Sequence, residues 1–147
     1  MDRRYLFILL SLLFLNGVYS QNGISRFEEL KEWKLSYITK NTSMNSKELE
    51  VYKCIFENYE NTYHDEIWIK VKKMRKELNK LMETIPNETA INYINEIDAF
   101  EIKGMQMKHE RNERLLKKIR PKIVLNIINQ EKKFDRELFN RIRRNSK

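Results

Sequence analysis

The sequence predicts an all-α protein of four helices, with helices two and three folded into a long antiparallel hairpin, helices one and four flanking it, and two copies forming a dimer. Three observations lead there. The stretch Met44–Leu81 carries Leu49, Tyr52, Phe56, Tyr59, Tyr63, Ile67, Met74, Leu78 and Leu81 at steps mostly of three and four, the spacing of one helix face. No Gly or Pro interrupts that stretch. Pro86 and Pro121 fall between periodic segments, and no alternating strand pattern is present. A helix this long must lie against partners along much of its length.

Met1–Ser20 reads as a signal peptide. Arg3 and Arg4 precede an apolar run from Tyr5 to Leu15, and small Val18 and Ser20 occupy the positions a signal peptidase reads. The run is well short of the roughly 20 apolar residues that span a bilayer. Export with Gln21 as the mature N-terminus is therefore expected, with an uncleaved membrane anchor as the alternative; residues 21–147 then form one all-helical domain.

Helix one is expected from Ile24 to Asn41. Ile24, Phe27, Leu30, Lys34 and Ile38 form its stripe, with Trp33 and Tyr37 beside it. Asn41-Thr42-Ser43 is a breaker cluster. Asn45 then caps the long second helix, and Glu48, three residues on, completes a capping box. That helix should end near Glu83, before Ile85-Pro86-Asn87-Glu88, a turn with Asn87 or Thr84 as the next cap. Helix three carries Ile91, Ile94, Ile97, Met105, Leu115 and Ile119, with Gly104 in a polar middle. Pro121 suits the first turn of helix four, which carries Val124, Ile127, Ile128, Phe134, Leu138 and Ile142. Short connections make antiparallel neighbours, and a hairpin with little core of its own favours a second copy or a groove-binding partner.

The net charge is +8, an excess that suits nucleic acid. Export argues against that partner, and so does the interleaving of signs at helical spacing, as in Lys73/Lys76/Glu77/Lys80, which marks a solvated helix face. No nucleic-acid partner is expected. Cys54 is the lone cysteine, so no intramolecular disulfide exists. A buried thiol beside the core is the expectation, and a link between chains the alternative.

Chemistry is sparse. Gly23 and Gly104 are too far apart for a phosphate-cradling loop, and no nucleophilic triad or His-Glu-x-x-His motif is present. No enzyme activity, small-molecule substrate or obligatory cofactor is expected. One constellation stands out. Folding helix three back about Pro86 sets His64 opposite the neighbourhood of Met107. Met105 and His109 share one face of helix three, and Glu60 lies four residues before His64. Glu60, His64, Met105 and His109 combine carboxylate, imidazole and thioether, ligands for a soft or borderline divalent metal. Ordinary packing and surface roles are the simpler account of the same residues.

Three stretches carry a family resemblance. Lys34-Leu-Ser-Tyr-Ile-Thr39 resembles Lys-Ile-Ala-Phe-Ile-Thr. Met44-Asn-Ser-Lys-Glu-Leu-Glu-Val-Tyr52, running on to Tyr59-Glu60, resembles a Leu-Thr-Pro-Glu-Glu-Ala helix start with its aromatic positions. Pro121-Lys122 through Glu131-Lys-Lys-Phe134 and Arg136-Glu-Leu138 resembles a final helix. The chain thereby resembles the sensors of extracytoplasmic-function (ECF)-type sigma factors of Bacteroidetes, relatives of the periplasmic heavy-metal sensors and of the Spy-like periplasmic chaperones. It departs from them where Asn45-Ser46 replaces Thr-Pro and Lys53-Cys54 replaces Trp-Pro, keeping the cap but losing an aromatic and a proline kink. The resemblance implies a periplasmic helical hairpin, often dimeric, that signals envelope stress to a membrane-bound anti-sigma regulator. Tyr52, Tyr59, Tyr63 and Trp68 are then candidate partner contacts, with core packing as the simpler role. A Spy-like chaperone and a divalent heavy-metal sensor are the alternative functions.

Overall fold

The computed structural model describes residues 25–145, so the leader expected over 1–20, the mature start at Gln21 and the stripe residue Ile24 lie outside the described residues. Those residues are helical apart from short turns, with no strand among them. The first helix is α1 (Arg26–Lys40), and the second is α2 (Ser46–Tyr63) running through a π-turn (His64–Trp68) into α3 (Ile69–Leu81). The third is α4 (Asn87–Leu116) and the fourth α5 (Pro121–Asn145). No helix among the described residues is long and apolar enough to cross a membrane.

Each boundary has a local cause. Ser25 caps α1, its Oγ accepting the Glu28 N–H at 3.3 Å. The box at the start of α2 is reciprocal: Asn45 Oδ1 accepts the Glu48 N–H at 2.9 Å, and Glu48 Oε2 accepts the Asn45 N–H at 3.1 Å. α4 corrects the expected cap. Pro86 holds the N-cap position (φ −63°, ψ 148°), its carbonyl accepts the Ala90 N–H, and Asn87 is already helical. The ring sets the entry angle without a side-chain cap. The Thr84 N–H instead closes the preceding helix on the Leu81 carbonyl. α4 also stops at Leu116, leaving Ile119 in the connection, where it is buried.

The chain divides into two compact units, one made of the described residues up to Glu50 together with those from Ile119 onward, the other of Val51–Lys118. In the first, α1 packs on α5. Phe134 and Leu138 are buried there with Leu30, Trp33, Tyr37, Phe139 and Ile142 against them. Trp33 and Tyr37 both meet the Phe134 ring edge-to-face, at 4.8 and 5.5 Å between centroids, a favoured aromatic geometry. The Arg141 guanidinium lies 4.4 Å above Trp33. In the second unit Tyr52, Ile55, Phe56, Ile67, Met74 and Leu115 are buried. Cys54 is exposed, correcting the expected buried thiol. The buried set Tyr52, Ile55 and Phe56 turns α2 so that Cys54 falls outside its apolar sector.

Candidate functional site

The second unit is built around an irregularity in its longest element. An apolar row needs alternating steps of three and four to stay on one α-helical face, yet Tyr59, Tyr63 and Ile67 follow one another by two steps of four. In an α-helix the row would drift off the face. The π-turn His64–Trp68 takes up the drift, its i→i+5 bond running from the Ile69 N–H to the His64 carbonyl. Ile67 is consequently buried at 0% exposure. Opposite it lies Gly104: a Cβ placed there would come 3.3 Å from Tyr63 Cε2 and 3.5 Å from Ile67 Cδ1. A glycine at this level lets the π-turn approach α4 closely.

The wider turn also brings residues four apart more nearly into line. His64 and Trp68 stack face to face, 5.1 Å between centroids with planes 13° apart. His64 Nδ1 lies 2.9 Å from Asp65 Oδ1, and Lys72 Nζ sits 4.9 Å over the Trp68 ring. Further contacts tie the second helix to α4. Glu66 pairs with Lys103, whose hydrogen bond and charge hold the Glu66 carboxyl below its ordinary range. The Arg111 guanidinium covers Tyr59 at 4.7 Å and donates to Asn112 Oδ1 through Nη2 at 2.8 Å. Arg114 Nη1 donates to Asn58 Oδ1 at 3.1 Å. Two cavities flank this level: one of about 310 Å³ lined by Tyr59, Glu66, Lys103, Met107 and Arg111, and one of about 430 Å³ lined by Lys70, Met74, Tyr93, Glu96 and Phe100.

No family model, curated protein or solved structure matches this chain. The site is therefore read from its own geometry. Of the four expected partner contacts, Tyr59, Tyr63 and Trp68 are half-buried, their rings engaged by Arg111, by the Gly104 level and by Lys72. Tyr52 is 1% exposed and lies 5.7 Å from Phe56. It is a packing residue and offers no surface to a partner. Of the expected metal ligands, Glu60 and His64 are half-buried on the second helix, while Met105 and His109 are exposed on α4. Among the described residues no group of three or more His, Cys, Asp and Glu side chains is arranged to hold a metal ion, so Glu60, His64 and His109 form none. Gly104, Arg111 and the π-turn were missed from the sequence. The two successive four-residue steps were the available signal for the turn; the buried guanidinium of Arg111, 4% exposed, left none, because an Arg on a polar stretch reads as solvated.

Rings with cations over their faces, beside a charged groove, suit a protein surface with complementary charges. A π-turn can exchange its i→i+5 bond for the α-helical i→i+4 one, rotating the residues on one side relative to the other.

Proposed function

We propose that this chain is an exported, non-enzymatic sensor or regulator acting towards an ECF-type sigma factor, and that its working part is the second helix paired with α4. In this reading the two run antiparallel as a hairpin: Asn58 meets Arg114, Tyr59 meets Arg111 and Glu66 meets Lys103, the partner number falling as the other rises. Two copies form the working unit, in the periplasm, and the target is a membrane-bound anti-sigma regulator. The π-turn over Gly104 carries the proposal, because π-turns concentrate at functional positions and can alternate between two registers. Binding near Tyr63 and Trp68 shifts that register and alters the face presented to the regulator.

The test is a reporter driven by the cognate sigma factor in the native host. Trp68→Ala is expected to change the stress response of the reporter at least several-fold while cellular abundance of the protein stays constant. An unchanged response in both Trp68→Ala and Tyr63→Ala overturns the reading. A second reading, a chaperone for partly unfolded clients, is favoured by exposed Ile91, Ile94, Ile102 and Met105 on a basic chain. Failure to suppress aggregation of a reduced model client at equimolar ratio rejects it.

A further inference from the structure

The positive charge of this chain is not spread evenly. Val51–Lys118 carries 13 basic and 12 acidic side chains, whereas α5 alone carries seven basic and three acidic ones. Within α5 the two signs are also separated by face. At 3.6 residues per turn, Lys122, Lys132, Lys133, Arg136 and Arg143 fall within an arc of roughly 100°. The other positions on that arc are Leu125 and two asparagines, and all eight side chains are exposed. The three acids lie outside it: Glu131 is buried, Asp135 is half-buried, and Glu137 pairs with Arg141 at 3.3 Å.

Such a stripe works against the helix that bears it. Lys132 and Arg136 are four residues apart, Lys133 and Arg136 three, and like charges at those spacings repel. The Arg136 Nε–H donates to the Lys132 carbonyl at 3.4 Å, which keeps the two cations within one turn. Lys122 sits in the first turn, where the helix dipole disfavours a cation; Arg143, in the last turn, suits it. Interleaved signs, as in Lys73/Lys76/Glu77/Lys80, avoid this repulsion, and α5 does not use them. An anionic partner along the stripe relieves it.

Shape and chemistry select that partner. The five cations form one row about 32 Å long on an unbroken helix, so a plane of negative charge meets all of them together. Leu125, 67% exposed, stands on the same arc. An apolar side chain there gains by entering the headgroup layer of a membrane, and gains nothing against the phosphates of a nucleic acid. No aromatic residue lies on the arc to stack on bases. We infer that the outer face of α5 lies on a membrane surface rich in anionic phospholipid, as a peripheral contact. The opposite face of α5 stays packed on α1 through Phe134 and Leu138, so the attraction is electrostatic, with Leu125 as an apolar anchor. This contact is independent of the regulator proposed above; it would hold the chain at the surface that a membrane-bound target shares.

The test is co-flotation of the chain, as purified from an exporting host, with phosphatidylcholine vesicles containing either no phosphatidylglycerol or about a third of it. The readout is the ratio of binding to anionic over neutral vesicles, with helicity followed by circular dichroism. Each cation at such a surface contributes about a fivefold factor. The ratio should therefore be on the order of a hundred at ~0.1 M salt and fall steeply towards ~1 M. Lys132→Glu with Arg136→Glu should lower it roughly twentyfold or more with helicity unchanged. Lys73→Glu with Lys76→Glu, the same change of net charge placed on α3, should lower it by less than about threefold, because charges beyond ~10 Å are screened at ~0.1 M salt. Leu125→Gln should weaken binding to the anionic vesicles about threefold. A ratio near one, or equal losses in the two double variants, overturns the membrane contact. A single-stranded oligonucleotide that displaces the chain from vesicles, together with a Leu125→Gln chain that binds as well as the native one, overturns it in favour of nucleic acid.

Discussion

Glu48 does more than a capping residue needs to. Its Oε2 accepts the Asn45 N–H at 3.1 Å and the Arg120 Nη2–H at 2.8 Å, while Oε1 accepts from the backbone N–H of Arg120 at 3.2 Å and from its Nε at 2.8 Å. Arg120 Nη2 also reaches the Ser43 carbonyl at 3.4 Å. One carboxylate therefore fixes the start of α2 and the residue from which α5 departs. The Arg120 hydrogen bonds, then the Asn45 N–H, pull its pKa from 4.5 to about 2. Because the folded-state value is the lower one, the stabilisation is complete above about pH 4.5 and is lost as pH falls towards 2. Urea unfolding of the native chain should show that added acid sensitivity, and Glu48→Gln should be less stable at pH 7 and lack it. Asn45→Ala removes only the cap and should cost about 1 kcal/mol. At Gly104 two effects compete. Alanine gains about 1 kcal/mol of helix propensity, and the half-buried Tyr63 ring 3.3 Å away has to give by a few tenths of an ångström. Gly104→Ala should consequently fall within about 1 kcal/mol of the native chain, whereas Gly104→Leu overpacks the level and should cost about 2–3 kcal/mol.

At the scale of an element, the π-turn makes one segment of the second helix tolerant of shortening. A π-turn holds one residue more than the α-helix needs. Deleting exposed Asp65 should return His64–Trp68 to α-helical register and keep both flanking apolar rows in phase. Deleting Glu57 rotates buried Phe56 away from the rows beyond it. Thermal unfolding is expected to show a loss of a few degrees for the first deletion and loss of the cooperative transition for the second. Near-equal losses would remove the register account. The starts of α2 and α5 were the legible part of these elements. Asn45 with Glu48, and Pro121 at the head of α5, act through bonds and angles within a few residues, so sequence suffices to place them. The face of α4 was not legible. Ile91, Ile94 and Met105 read as its core stripe because they are the apolar residues, but the buried positions include Gly104 and Arg111. Gly104 is buried at a level where a Cβ would meet Tyr63, and the Arg111 guanidinium lies over the Tyr59 ring; hydropathy ranks both as exposed.

At the scale of the whole molecule, the all-helical class followed directly from the periodicity. The candidate site did not, because it depends on which residues of two helices stand at the same level. Of the four-residue set Glu60, His64, Met105 and His109, the carboxylate and the two imidazoles form no three-member metal-holding group among the described residues. Of the aromatic set, Tyr59, Tyr63 and Trp68 lie around the π-turn and α4, while Tyr52 is buried against Phe56. Packing in the unit of α1 and α5 gives a sharp global test. Phe134→Ala removes the ring on which Trp33 and Tyr37 converge and should cost about 3–5 kcal/mol, reported by Trp33 fluorescence and the urea midpoint.

The bond from Glu48 to Arg120 joins positions 72 residues apart. Synthesis delivers the chain from its N-terminus, so α1 emerges long before α5 exists. Residues from Val51 to Lys118 can collapse on their own schedule. Trp33 and Tyr37, by contrast, wait uncovered until the last quarter of the chain arrives. During that interval the nascent chain presents both rings to whatever binds unfolded chains. A ribosome stalled or a protease cutting anywhere after Lys118 would strand it in that condition, and the completeness of the C-terminal helix thereby acts as the final checkpoint on the molecule.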